Sequence, residues 1–203
     1  MKKITYEDAL KRAWDELQER DLRELSAFSF SKLENDIIFL KFIDRSYSVD
    51  ISQRIVAGEG QRLEPFLSVL VLHYLIGCSS LEPTGELITF REVPYGELYY
   101  PAFKSRAIDP LVSKFGTNAK LLLAIGEKLK ARRVDLGSAA ICVDVFPKLP
   151  VVIIIWEGDE EIPPSANILF DRIAPSIMAT EDLAVIGNLI SSRVRKMCEA
   201  AGK

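Results

Sequence analysis

Apolar positions recur at helical spacing near the start of the chain, where Tyr6, Leu10, Ala13, Trp14 and Leu17 fall on one face. Thr5 stands just ahead, with Asp8 three residues further on. That is the form of a capping box, and the pattern predicts a first helix docked by its apolar stripe. Asp36 to Ile43 and Tyr47 to Ile51 are rich in aromatic and β-branched residues, with Asp44-Arg45-Ser46 between them. These segments predict two antiparallel strands joined at that turn. From Leu63 to Gly77 the chain is hydrophobic nearly all round, with Pro65 suited to a first helical turn and Gly77 to the last, so a central helix is expected.

Further on, Leu87 to Val93 has strand character and Pro94-Tyr95-Gly96 breaks it ahead of an aromatic segment, Glu97 to Phe103. Ile108 to Lys114 predicts a short helix ended by Gly116, and Asn118 to Arg132 a longer one. The late cations Lys128, Lys130, Arg132 and Arg133 suit the C-terminal end of the latter. Ser138 to Phe146 and Val151 to Trp156 form a second strand pair across Pro147-Lys148-Leu149-Pro150. A last helix opens at Thr180, with Glu181 and Asp182 placed for its dipole, and runs through Leu183, Ile186, Ile190 and Val194. Tight strand pairs without regular strand-helix alternation give an α+β class. No repeat or Gly/Ser-rich linker interrupts residues 1–203, so a single compact domain is expected.

Composition narrows the function classes. The 26 Lys plus Arg against 29 Asp plus Glu leave a net charge of −3, which excludes a strongly basic nucleic-acid binder. The longest apolar run, Phe66 to Gly77, is interrupted by Ser68 and His73 and falls short of the roughly 20 residues of a membrane-crossing helix. Cys78, Cys142 and Cys198 are widely separated, so none forms the close pair of a zinc ribbon or an iron-sulfur motif. Their odd number, and a start at Met1-Lys2-Lys3-Ile4 without an apolar leader, point to a reducing cytoplasm. The sequence holds no phosphate loop, dinucleotide fingerprint or nucleophile elbow, and its single His excludes mechanisms that need two imidazoles.

Three constellations remain. His73-Tyr74 lies inside the apolar helix, where an imidazole is either a satisfied core histidine or an axial ligand to haem or a corrinoid. Phe90 to Arg106 concentrates Tyr95, Tyr99, Tyr100 and Phe103 with Arg91, Lys104 and Arg106. Aromatic faces beside guanidinium groups suit a planar anionic ligand such as a corrinoid, haem or flavin. The alternative is salt bridging to Glu86, Glu92 and Glu97 around an aromatic edge. Third, Trp156 opens an acidic stretch, Glu157-Gly158-Asp159-Glu160-Glu161, with Asn167 and Asp171 following. Close carboxylates recruit a hard cation or raise a pKa, so Mg²⁺ or Ca²⁺ bound by Asp159, Glu160 and Asp171 is one reading and a solvated acidic loop the other.

His73-Tyr74-Leu75, Phe90-Arg91-Glu92 and, above all, Trp156 to Glu161 leading to Asn167-Ile168-Leu169-Phe170-Asp171 resemble the domain-of-unknown-function family 3786 of anaerobic bacteria and archaea. The resemblance spans the first strands to the last helix. It implies a place near one-carbon, corrinoid or redox metabolism and attaches no role to His73, Tyr74, Arg91, Trp156, Asp159, Glu160, Asn167 or Asp171. Some relatives carry an added iron-sulfur domain, whereas this chain has no clustered cysteines. The leading expectation is an accessory small-molecule or cofactor-binding domain. His73, Tyr74, Arg91, Tyr95, Tyr99, Arg106 and Trp156 would line its pocket. A metal-dependent enzyme built on the acidic stretch is the second reading, and an interaction module for an iron-sulfur or corrinoid protein the third.

Overall fold

The computed structural model describes residues 5–201, so Met1–Ile4, on which the reading of the chain's start rests, lie outside the described residues. Its helices and two antiparallel sheets make it an α+β protein. The chain divides into two compact units. Among the described residues, unit 1 holds 5–82 with Phe146–Lys148 and Ser176–Met178, and unit 2 holds Pro83–Val145, Leu149–Pro175 and 179–201.

In unit 1, α1 (Tyr6–Gln18) opens under the expected capping box. The Asp8 N–H donates to the Thr5 hydroxyl at 3.2 Å, and the Thr5 N–H donates to the Asp8 carboxylate at 3.2 Å. The helix buries Ala13, Trp14 and Leu17, three members of the predicted stripe. After α2 (Leu22–Phe28), five strands form an antiparallel meander in chain order: β1 (Lys32–Glu34), β2 (Ile37–Phe42), β3 (Arg45–Asp50), β4 (Ile55–Gly58) and β5 (Gln61–Arg62). The β2–β3 turn is Ile43-Asp44 rather than Asp44 to Ser46, because Arg45 and Ser46 already pair with Phe42 and Lys41. Ile43 accepts a left-handed φ of 58° there, and this register keeps Ile38, Leu40 and Phe42 on the buried face.

The apolar helix α3 (Pro65–Gly77) supplies the centre of unit 1. The ring of its Tyr74 stacks on Phe146 at 4.2 Å, and Phe146 stacks in turn on Phe42 at 4.6 Å. At the C-terminal end of α3 glycine is required by contact and not by a turn: a Cβ on Gly77 would lie 1.7 Å from the Ile177 carbonyl oxygen.

Unit 2 is built on a sheet of order β6-β10-β9-β8-β7, made of β6 (Leu87–Thr89), β7 (Arg132–Val134), β8 (Ala139–Phe146), β9 (Leu149–Trp156) and β10 (Ser165–Asp171). The β8 and β9 strands match the predicted pair, joined at Pro147-Lys148. The strand expected over Leu87 to Val93 stops at Thr89, because Glu92 turns back to accept both the N–H and the hydroxyl of Thr89 at 2.8 Å and closes a 3₁₀ turn over Phe90–Glu92. The long helix expected to reach Arg132 is α6 (Lys120–Leu129). It ends at Lys130 in the left-handed region, and Arg132 and Arg133 belong to β7. Arg132 there makes two 2.9 Å bonds to Asp144, so it serves strand pairing, whereas Lys128 stands in the last turn of α6 as expected.

Nearly every position of β8 and β9 is buried, as in a sheet covered on both faces. Ala140, Cys142, Val152 and Ile154 form the core of one face, with Leu87, Val134 and Leu169 against them. On the other face Gly126 of α6 sits against Ile141, where a Cβ would come within 2.7 Å of its Cγ2. The remaining helices are α4 (Gly96–Phe103), α5 (Asp109–Phe115), α7 (Ala174–Ile177) and α8 (Thr180–Ala201), the last opening at Thr180 as expected. No helix among the described residues is long and apolar enough to cross a membrane.

Candidate functional site

The segment Gly96 to Phe115 is helical throughout, with one widened turn. Pro110 has no N–H to give the Arg106 carbonyl, and its ring crowds the preceding turn of an α-helix. Over Lys104–Ile108 the helix opens to π geometry, in which the Asp109 N–H reaches the Lys104 carbonyl five residues back. Such widened turns are frequent at functional sites. This one sits on a groove of ≈240 Å³ formed by α4, the π turn and α8, with Tyr99, Phe103 and Arg106 on one wall and Glu181, Val185 and Asn188 on the other. The Tyr99 hydroxyl donates to the Glu181 carboxylate at 3.3 Å.

Close packing sets the floor of the groove. Phe103 stacks on Phe90 at 4.0 Å with the planes 4° apart. On α8, a Cβ at Gly187 would fall 2.3 Å from the Phe103 ring, so only glycine lets the helix come this near. Above that floor, neither the Arg106 guanidinium nor the Asn188 amide has a hydrogen-bond or ionic partner among the described residues. The groove thus offers an uncommitted cation, an amide and an aromatic face to one ligand.

The other residues expected to line a pocket are placed differently. Tyr74 is fully buried in unit 1. Its hydroxyl donates to the Ser29 carbonyl at 2.8 Å and accepts the Lys148 N–H at 3.0 Å. Burial, with Cys78 beside it, pushes its pKa up. It is a core residue, which corrects its assignment to a ligand pocket. His73 is half-buried on α3 in unit 1 and has an interaction partner of its own. The groove that gathers Tyr99 and Arg106 is lined from unit 2 alone. Arg91 is engaged elsewhere, donating to Glu97 at 2.9 Å with its guanidinium 3.9 Å from the Tyr100 ring centroid. This is the salt-bridged alternative. Tyr95 is 79% exposed in a left-handed conformation ahead of α4, and Trp156 is half-exposed at the end of β9; neither lines the groove.

The cation site expected at Asp159, Glu160 and Asp171 does not form. Trp156 pairs with Ser165 and Val151 with Phe170, so Asp159 follows one end of the β9–β10 ladder and Asp171 follows the other. Five residue steps of strand separate those ends by about 17 Å, beyond any shared first coordination shell. Each aspartate is also occupied. Asp159 accepts the N–H groups of Ile162 at 2.7 Å and Glu161 at 2.9 Å, bonds that hold its pKa below the usual carboxylate range. Asp171, 1% exposed, accepts the N–H and hydroxyl of Thr84 and the N–H groups of Gly85 and Ile173. Burial pushes the Asp171 pKa up, but those bonds outweigh it and leave the group below its ordinary value. Glu157 accepts the Ala119 N–H ahead of α6, which accounts for a third carboxylate of the stretch. No group of three or more metal-ligating side chains occurs among the described residues.

Sequence reading missed Glu181, Val185 and Asn188. Their spacing of four and then three places them on one face of α8, but α8 carries the helical period on several faces, and nothing in it indicates which would meet α4. Comparison with known proteins adds one relationship. No curated protein matches the chain, and no solved structure does so. Residues 21–193 match the family described as a domain of unknown function, DUF3786, and because that match takes in well over half of its length, the chain belongs to this family.

Proposed function

We propose that the protein is an accessory small-molecule or cofactor-binding domain, and that its ligand enters the α4–α8 groove by an anionic group. The observation that carries this reading is the Arg106 guanidinium, which lines a groove beside Tyr99 and Asn188 with no protein partner among the described residues. A guanidinium takes a carboxylate or phosphate through two parallel bonds, and the Tyr99 ring offers a face to a planar body. At ≈240 Å³ the groove is smaller than the roughly 300–1,000 Å³ that encloses a drug-sized ligand. It therefore suits the phosphate-bearing arm of a flavin, or one edge of a corrinoid or haem, better than a whole macrocycle.

A role in anaerobic one-carbon, corrinoid or redox metabolism follows from the family resemblance and belongs to this proposal, as does a cytoplasmic location. Supporting the location, Cys78, Cys142 and Cys198 are all free thiols. The test is thermal denaturation and absorbance under anaerobic conditions with flavin mononucleotide, cobalamin and haem in turn. At least one should raise the Tm, and Arg106→Gln should remove that rise. No shift with any of the three, or an equal shift in Arg106→Gln, overturns the reading.

A further inference from the structure

Unit 1 has a larger groove, of ≈340 Å³, lined by α1, β4, β5 and the start of α3. Four features in it point to one kind of occupant. The first is Trp14, which is 3% exposed and lines the groove with no protein acceptor for its indole N–H among the described residues. That N–H is not closed off from solvent, and it is open to an acceptor entering the groove.

The second is the N-terminus of α3, a 13-residue helix. Glu64 at the capping position makes no side-chain bond to it, and Pro65 occupies its first turn. Glu64, Pro65 and Ser68 bring this uncapped positive end of the helix dipole to the groove. The third is Arg62 on β5, which is exposed at the groove and has no ionic partner among the described residues. The fourth is Arg54, whose guanidinium is held in place by Asp15 at 3.0 Å and by the Gln18 side chain. Between these polar groups lie Val56 and Leu63, which give an apolar wall. One opposing charge is present, the exposed carboxylate of Glu64.

We propose that this groove is a binding site, separate from the α4–α8 groove, for a small molecule with a carboxylate or phosphate on an apolar body. Arg62 and the Trp14 N–H take the anionic group beside the positive end of α3, and the apolar body lies on Val56 and Leu63. Helix N-termini and guanidinium groups both favour negative charge, and the Trp14 N–H adds a directional donor beside them.

The protein has two tryptophans, Trp14 and Trp156, so Trp156→Phe makes fluorescence report on Trp14 alone. Titrating that full chain with benzoate and with phenyl phosphate should give a saturable change in emission with at least one. Benzoate alone identifies a carboxylate site, and phenyl phosphate alone a phosphate site. Arg62→Gln should weaken binding about tenfold, as expected for loss of a charge-assisted bond, and Glu64→Gln should tighten it about threefold. Arg45→Gln, which removes the same charge from an exposed pair with Glu59 on the same sheet, should leave binding unchanged. The Tm of the unaltered chain with the same two probes gives an independent reading. No saturable signal and no Tm rise with either probe overturns the proposal, and so does binding that Arg62→Gln and Glu64→Gln both leave as it was.

Discussion

Asp171 and Thr84 are joined twice through one oxygen: Oδ1 of the carboxylate accepts the Thr84 N–H at 3.0 Å and its hydroxyl at 2.9 Å. The other oxygen takes the Gly85 N–H at 2.6 Å, and Ile173 adds a fourth donor at 2.9 Å. The carboxylate thereby ties the end of β10 to the approach to β6, its partner in the sheet.

Replacing Asp171 by Ala should therefore cost about 2–4 kcal/mol, since several donors lose a charged acceptor in a buried setting. Urea denaturation at pH 7 measures it. A depressed pKa in the folded state means the carboxylate stabilises the fold fully above its unfolded pKa, near 3.8, and loses that contribution as pH falls through the lower folded value. The variant should thus lose less stability than the parent between pH 4 and pH 2. Equal acid sensitivity of the two chains would count against this role.

Tyr74→Phe keeps the ring that stacks on Phe146 and removes only the hydroxyl between Ser29 and Lys148. The loss should be about 1–3 kcal/mol, because the Ser29 carbonyl and the Lys148 N–H both stay buried without their partner. A loss near zero in equilibrium unfolding would show that water replaces the hydroxyl.

Gly187→Ala tests the floor of the α4–α8 groove. Its Cβ meets the Phe103 ring, which cannot easily withdraw because Phe90 is stacked behind it at 4.0 Å. Overpacking of this kind costs about 1–3 kcal/mol and should also weaken any ligand that depends on Arg106.

Thiol accessibility separates the three cysteines. Cys78 is 1% exposed, and burial pushes its pKa up to about 11, while Cys142 is 8% exposed with a pKa likewise raised by burial. Cys198 is only partly covered. In the native protein at pH 7.5 a thiol reagent should titrate one group rapidly and all three only after denaturation. Rapid reaction of a second thiol would contradict the packing around Cys78 or Cys142.

Chelation should leave the ends of the β9–β10 ladder unaffected. With Asp159 and Asp171 at opposite ends of the β9–β10 ladder and both bonded to N–H groups, an excess of EDTA should not change the Tm. Asp159→Ala should cost no more than about 1 kcal/mol, the worth of a short capping turn.

Local physics made a large part of the fold legible. Thr5 and Asp8 cap α1 because a hydroxyl and a carboxylate three residues apart reach each other's N–H whatever surrounds them. The β-branched run at β9 and the apolar run at α3 specify buried elements by composition alone. The short strands β1, β5, β6 and β7 carry two or three residues each, too few for a period to register, and they exist only because a neighbour supplies hydrogen bonds. The roles of the site residues were decided in the same way. Sequence brings Arg91 and Arg106 into one ring-rich segment, but it does not say that Glu97 and Tyr100 engage Arg91 while α8 turns toward Arg106 and leaves it uncommitted. Nor does it say that an antiparallel ladder carries Asp171 away from Asp159. Capping and burial depend on neighbours a few residues apart, whereas a site depends on which distant side chains the packed helices and paired strands bring together.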